Sequence, residues 1–274
     1  MKRAALLCLL ASGCAAQPSA KGGGIVSLNP CADAILVELV PHDRIAAISH
    51  YSRDPAASSI DPVVARRLPV NNGTAEEVIA LRPDLAIIDS FTSISTREAF
   101  ARAGVKTLTL GWASNIADSK AQIRDLAAAL DARPAGEAMV ARIDRAVAAA
   151  HTDRPLVPAL LWIGGNTVSG SGTLLDEMMV KAGFSDHAAH YGLQGTGYLP
   201  IEHVVADPPQ VMLVPDSIGR DPDSRAAQMR GWALARSGAR VHQARFERSL
   251  VNCGGPVIAR AMTRLAQVRR EVGK

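Results

Sequence analysis

Aromatic residues are scarce in this chain, with three Trp, three Tyr and four Phe among 274 residues, so each ring that falls in a loop carries weight. No apolar run reaches the roughly 18–20 residues that a membrane-spanning helix needs, and none is expected. Charge of one sign is also lacking. Thirty Lys and Arg against 26 Asp and Glu leave +4, and setting Lys2 and Arg3 aside leaves +2. That excess is too small and too scattered for a nucleic-acid surface, so no nucleic-acid partner is expected. The four cysteines form no CxxC pair and no Cys/His ligand spacing, which argues against a structural zinc site. Phosphate-loop and nucleophile signatures are missing as well. The stretch Ser169-Gly170-Ser171-Gly172 has Ser where GxSxG requires its first Gly, and no GxGxxG or Gly-Lys-Ser/Thr run occurs. What is present is a chain 48% apolar and 20% charged, able to bury a core and long enough for one large domain or two lobes.

The amino terminus reads as an address. Met1-Lys2-Arg3, the apolar run Ala4 to Ala11 and the small residues beyond it form an export signal over residues 1–16. Two cleavage readings stand. Leu10-Ala11-Ser12-Gly13-Cys14 resembles a bacterial lipobox, with Ala11 where Leu is usual, which would make Cys14 a lipidated first residue and tether the chain to a membrane face. Ordinary cleavage after Ala16 would leave an untethered protein. The lipobox is preferred, because a thiol just beyond such a run is otherwise a liability. Residues 17–24, with Pro18, Ser19 and three glycines, are a flexible spacer. Cys31 and Cys253 then remain near opposite ends of the mature chain, either as a disulfide pair or as two separate thiols.

Beyond the spacer, strands and helices alternate. Ile25 to Leu28 reads as a buried strand, and Asn29 caps a helix with Pro30 at its first position. Further strands are expected at Ile45–Ser49, Leu68–Val70, Leu85–Ile88 and Val105–Leu110. A capping box at Thr74-Ala75-Glu76-Glu77 and a helix near Thr96–Ala103 lie between them. Two helical stretches, Ile116–Leu130 and Pro134–Ala150, follow without a strand between them. The alternation then resumes with strands at Ala159–Ile163, Val211–Val214, near Val241 and at Ser249–Val251. Helices are expected at Thr173–Ala182 and Pro256–Val272. The pattern predicts an α/β fold of two Rossmann-like lobes joined by a long helical connection. The lobes span residues 25–113 and 153–274, and the connection spans 114–152.

In open parallel sheets, ligands bind beyond the carboxyl ends of the strands. Those ends carry Asn29, Cys31, His50, Tyr51, Asn71, Asn72, Phe91, Trp112, Asn166, Asp216 and Cys253. Amides and aromatics dominate and no nucleophile–base pair is evident. Such a site holds a large, partly apolar ligand by stacking and hydrogen bonding. His187 and His190, with Asp186 beside them, have a spacing able to hold a metal ion, although paired histidines in a Gly/Ala-rich loop are more often solvated, and no metal site is assigned.

The segments Ile25 to Pro30, Ile45 to Ser52 (IAAISHYS), Thr74 to Ile88 (TAEEVIALRPDLAII) and Ile201 to Val214 (IEHVVADPPQVMLV) resemble the periplasmic substrate-binding proteins of ABC importers for cobalamin and iron chelates. The resemblance implies a non-enzymatic, monomeric protein of the periplasm with a ligand in the cleft between its lobes. It implies capture of cobalamin, with a ferric siderophore or haem next, and delivery to a permease dimer in the inner membrane. No cofactor is implied beyond the transported complex. Glu76 and Glu202 stand where the family places one permease-docking carboxylate on each lobe. Tyr51 stands where cobalamin binders set a tyrosine against the corrin ring, and Tyr198 falls near a second aromatic position. A disulfide between Cys31 and Cys253 would suit a family whose lobes move little. The alternative is an exported hydrolase or metal-dependent enzyme on a similar frame.

Overall fold

The computed structural model describes residues 22–215, 225–238 and 240–273. Cys14 and Asp216 therefore lie outside the described residues. The first lobe opens with β1 (Ile25–Ser27), buried throughout, and α1 (Pro30–Leu39). The start of α1 follows from its cap: the Asn29 side chain accepts from the Cys31 and Ala32 amides, and Pro30 occupies the first turn where no donor is needed. There follow β2 (Ile45–Ser49), α2 (Pro62–Arg67), β3 (Val70–Asn71), α3 (Ala75–Leu81), β4 (Leu85–Asp89), α4 (Ile94–Arg102) and β5 (Thr107–Leu110). All five strands are parallel, in the order β3-β2-β1-β4-β5. The winding reverses between β1 and β4, which opens a crevice at their carboxyl ends.

Helices α5 (Ile116–Ala129) and α6 (Arg133–Ala150) form the connection. They approach so closely that a Cβ on Gly136 would lie 2.5 Å from the Ala127 Cβ, leaving room only for glycine. Met139, Val140 and Ile143 of α6 are buried, at the i, i+1 and i+4 spacing of one helix face.

The second lobe comprises β6 (Val157–Gly164), β7 (Thr167–Ser169), α7 (Leu174–Lys181), β8 (Phe184–Asp186), β9 (Thr196–Tyr198), α8 (Ile201–Ala206), β10 (Val211–Val214), α9 (Arg225–Ser237), β11 (His242–Arg245) and α10 (Val257–Glu271). Its strands run β11-β10-β6-β7-β9, with β8 beside the first half of β6. Strand β7 pairs antiparallel with both β6 and β9, and the remaining pairs are parallel.

One apolar cluster runs through both lobes. It takes Ile35 and Leu36 from α1, Met139 and Ile143 from α6, Leu161 from β6 and Met262 and Leu265 from α10. The two-lobed α/β architecture is as the alternation predicts, but several local readings are corrected. The strand expected at Ser249–Val251 is a 3₁₀ turn over Arg248–Leu250, closed by the Leu250 amide on the Glu247 carbonyl. Three apolar-leaning residues were too short a run to separate the two states. The strand expected at Leu68–Val70 forms at Val70–Asn71, because Leu68 is spent capping α2. Strands β7, β8 and β9 and helices α2 and α9 carry no reading in the sequence.

Candidate functional site

A cavity of about 710 Å³ opens between the lobes, a volume suited to a cofactor-sized ligand. The first lobe contributes the segments that leave its strands at the winding reversal: Asn29 to Cys31 after β1, Asp89 to Phe91 at the end of β4, and Leu110 to Ala113 at the end of β5. The connection adds Gln122. The second lobe adds Ile163, Gly172 to Leu175 at the start of α7, Gly195 and Thr196, and Val251 to Gly254.

Short capped loops hold the aromatic side chains out. The Asp89 carboxylate accepts from the Phe91 amide at 2.8 Å and from the Thr92 hydroxyl at 3.1 Å, and Arg97 donates to the Asp89 carbonyl. The loop is thereby fixed while the Phe91 ring stays 80% exposed. Gln122 Nε2 donates to the Gly111 carbonyl at 2.7 Å, tying down the loop that presents Trp112, which is 75% exposed. Two large rings left in water on fixed supports, at the mouth of one cavity, are apolar surface held in place for a ligand.

The cavity floor is covalently closed. Cys31 and Cys253 form a disulfide across a sequence separation of 222, with their Cα atoms 5.2 Å apart. Of the two readings left open by the sequence, the structure has the bridge. Hydrogen bonds joining the second lobe to the first lobe and to the connection surround it. Asn252 donates to the Ala56 carbonyl at 3.1 Å, Arg260 to the Ser59 carbonyl at 2.5 Å, and the Gly255 amide to the Ser119 hydroxyl at 2.7 Å. The Ile116 amide donates to the Glu177 carboxylate at 2.7 Å.

Behind the floor, Asp33 of α1 is wholly buried. It accepts from the Ser49 amide at 2.8 Å and the Ser52 hydroxyl at 2.7 Å. Burial dominates over these bonds and pushes its carboxyl up to about 7. Asp186 of β8 is pushed up to about 6, again mainly by burial.

The structure brings together Asn29, Cys31, Phe91, Trp112 and Cys253 of the residues read from sequence. Others are placed elsewhere, for stated reasons. Asn71 is fully buried, and its amide donates to the Ser27 and Ile48 carbonyls at 2.8 and 2.9 Å, so it bridges β1 to β2 instead of meeting a ligand. Asn72 gives its backbone amide to the Glu77 carboxylate at 2.8 Å, two residues before the Thr74 cap of α3, so it fastens that helix start instead of meeting a ligand. His50 Nδ1 pairs with the Asn71 carbonyl at 3.2 Å, and its ring lies 4.0 Å from that of Tyr51. Tyr51 is 54% exposed and does not line the cavity. Asn166 and Tyr198 pair with each other at 3.3 Å on the β7–β9 edge, also outside it. Sequence reasoning left out Asp89, Gln122 and Thr173. The Asp89-x-x-Thr92 turn and the Thr173 cap of α7 are local signals that could have pointed to two of them.

Glu76 and Glu202 are exposed in the first turns of α3 and α8, one on each lobe. His187 and His190 lie together with Asp207, not with Asp186 as the adjacent sequence suggested. The Asp186 carboxylate is taken up by the Ala188 amide at 2.9 Å.

A family model described as a periplasmic binding protein matches residues 25–232. The fold is similar to that of the periplasmic heme-binding protein RhuT from Roseiflexus sp. RS-1 in apo form, at 22% identity over 92% of this chain and 100% of that one, with a TM-score of 0.71. It is similar to the periplasmic heme-binding protein HutB of Vibrio cholerae, at 16% identity over 90% and 98% of the two chains, with a TM-score of 0.71. The periplasmic vitamin B12 binding protein BtuF of Vibrio cholerae is also similar, at 18% identity over 91% and 97%, with a TM-score of 0.67. Sequence comparison with curated proteins finds no match.

Proposed function

The chain belongs to the periplasmic binding protein family, and from that premise we propose that it captures a chelated metal complex and hands it to the permease of an ABC importer. The family is one of binding proteins, which removes the hydrolase alternative. The observation that carries the ligand class is the pair Phe91 and Trp112, held exposed on fixed loops at the mouth of a cavity of about 710 Å³. A bulky ligand with flat, apolar faces and a polar periphery satisfies such a site, since rings supply stacking area while the side-chain amides of Asn29, Gln122 and Asn252 offer hydrogen bonds. Cobalamin leads this class and haem or a ferric siderophore follows. The described lining is mostly rings, aliphatic groups, amides and hydroxyls, its one carboxylate, Asp89, accepting from the Phe91 amide and the Thr92 hydroxyl, which suits a complex whose metal is already fully coordinated. The similarity to heme-binding and vitamin B12-binding structures supports the same class.

Glu76 and Glu202 fit the role of two docking carboxylates for a two-fold permease, with the protein acting as a monomer in the periplasm. The lipidation proposed for Cys14 would keep it at the membrane face.

Titration of the purified protein with cyanocobalamin, hemin and a panel of ferric chelates, read by calorimetry and absorbance, is the test. One member should bind one to one. Trp112→Ala and Phe91→Ala should each weaken that member by about 1–3 kcal/mol. Binding that neither substitution weakens would place the ligand elsewhere.

A further inference from the structure

Outside the cleft, at the other end of the second lobe, three side chains converge that the capture of a ligand does not use. His187 opens the 3₁₀ turn that follows β8, His190 lies one turn on, and Asp207 ends α8. Asp186, just before His187, is registered to Ala159 near the start of β6, whereas the cleft residue Ile163 is near the end of that strand. Asp207 precedes β10. The cluster therefore sits at the amino ends of β6 and β10, opposite the cavity.

Two of its edges approach those of a tetrahedral site. Asp207 Oδ2 is 3.5 Å from His187 Nε2 and 3.5 Å from His190 Nδ1. One ligand atom from each of the three residues lies within 4.8 Å of the others. A tetrahedral ion with bonds of about 2.0–2.1 Å to nitrogen and oxygen spaces its ligand atoms about 3.3–3.4 Å apart, so the two Asp207 edges are already near the required length. The two imidazole rings are 4.5 Å apart between centroids and tilted by 41°, both beside the same carboxylate.

His187 is the buried member of the set. The residue is 4% exposed, yet its Nδ1 has no hydrogen-bond partner among the described residues. Its Nε2 lies 3.0 Å from the Asp207 carbonyl oxygen. On a ring whose Nε2 faces Asp207, Nδ1 points away from the cluster, so the nitrogen available to an ion there is Nε2. The Asp207 carbonyl does not depend on His187, because the Tyr191 hydroxyl donates to it at 2.5 Å. His187 Nε2 is thus free to exchange that contact for a metal bond, with its proton carried on Nδ1.

We infer that His187, His190 and Asp207 form a binding site for a divalent late first-row transition metal of the zinc type, separate from the ligand cleft. Two neutral imidazoles and one carboxylate are borderline nitrogen and oxygen donors, the set that favours Zn²⁺, Co²⁺, Ni²⁺ or Cu²⁺ over Mg²⁺ or Ca²⁺. The fourth position is left to water. Bound there, the ion would join the 3₁₀ turn to the carboxyl end of α8, the helix whose first turn carries Glu202.

The test uses untagged mature protein freed of metal by chelator and dialysis, titrated with Zn²⁺ alone and, in parallel, with Co²⁺ alone. The expected result is one saturable equivalent of Zn²⁺, with the intense visible absorption of tetrahedral Co²⁺ on cobalt loading. His190→Ala and Asp207→Asn are both exposed enough to be tolerated, and each should weaken binding about tenfold or more. His151→Ala removes a surface histidine that faces Asp153, and it should change nothing. Saturating Zn²⁺ should also raise the melting temperature of the wild type and not that of Asp207→Asn. Absence of a saturable equivalent, or equal binding by wild type, His190→Ala and Asp207→Asn, overturns the site. Binding of the cleft ligand is read separately and stays unchanged in these variants.

Discussion

The bridge between Cys31 and Cys253 allows a quantitative test of how the lobes are held. The perturbation is the double substitution Cys31→Ser with Cys253→Ser, or reduction of the wild type. Cys253 is 6% exposed and Cys31 packs against the core, so serine fits either site with little change in volume. The contacts around them stay in place: Asn252 on Ala56, Arg260 on Ser59 and Gly255 on Ser119. The folded state therefore loses little, and the main effect falls on the unfolded chain, which is released from a closed loop with a sequence separation of 222. Loop-closure entropy for that length amounts to about 5 kcal/mol at 25 °C, and removal of natural bridges costs about 2–5 kcal/mol. With an unfolding entropy of about 2.1 cal/mol/K per residue, a chain of this size has about 0.5 kcal/mol/K in all, so the melting temperature should fall by about 4–10 °C.

Scanning calorimetry of the mature protein, with and without a phosphine reductant, measures the fall. The Ser/Ser variant serves as the internal control, because reductant should not move it. Thiol counting on denatured, unreduced protein should find neither Cys31 nor Cys253 free. A wild type that melts within about 1 °C of its reduced form would refute the reasoning, since the bridge would then constrain nothing that folding does not already constrain.

Other outcomes follow from single residues. Asp33 holds a proton in the folded protein up to about pH 7 that the unfolded chain releases near pH 4, so its contribution to stability is present below about pH 4 and is lost as pH rises to 7. Urea unfolding across that window should show Asp33→Asn removing up to about 4 kcal/mol of this decline, while Asp186 retains a smaller decline of the same sign up to about pH 6. Asn71→Ala leaves the Ser27 and Ile48 carbonyls without their amide partner and should cost about 1–3 kcal/mol in the same assay, with no change in ligand affinity per folded molecule. Glu76→Lys with Glu202→Lys should leave cleft binding intact and abolish uptake and permease association, each single reversal causing a partial loss. Wild-type uptake by the double variant would reduce both residues to favourable helix-start carboxylates.

The fold was legible in the sequence where local chemistry and periodicity agree. Asn29-Pro30 announces α1, the Thr74 capping box announces α3, and the strandless interval from Ile116 to Ala150 announces the connection. The sheet-end rule found Phe91, Trp112 and both bridge cysteines, because residues just past parallel strands converge whatever their type. It failed where a side chain at such a position is spent internally. Asn71 sits at a strand end, but its amide is consumed by two backbone carbonyls, and nothing local distinguishes that Asn from one facing a ligand. The strands β7 to β9 are three residues each, too short for alternation to register. Asp207 was missed beside His187 and His190 because it lies 20 residues from His187, and only the packing of α8 beside that turn joins them.

The bridge and the aromatic loops together bear on how affinity arises. In a hinged binding protein, part of the binding free energy is consumed in closing the lobes, and the apparent affinity falls with the fraction of molecules in the competent state. Here the cavity floor contains a covalent link, and the two ring-bearing loops are held by Asp89 and Gln122 before any ligand arrives. Ordering cost on binding is then confined to the rings' own rotamers and the ligand, which favours tight capture at low concentration. The same argument separates two effects of the Ser/Ser variant. If the bridge only stabilises the fold, ligand affinity measured well below the melting temperature is unchanged. If it also holds the cleft in its competent state, affinity falls while the stoichiometry stays at one, and reoxidation of reduced wild type restores it. The first result is the expected one, because the contacts of Asn252, Arg260 and Gly255 beside the bridge hold the folded cleft without it.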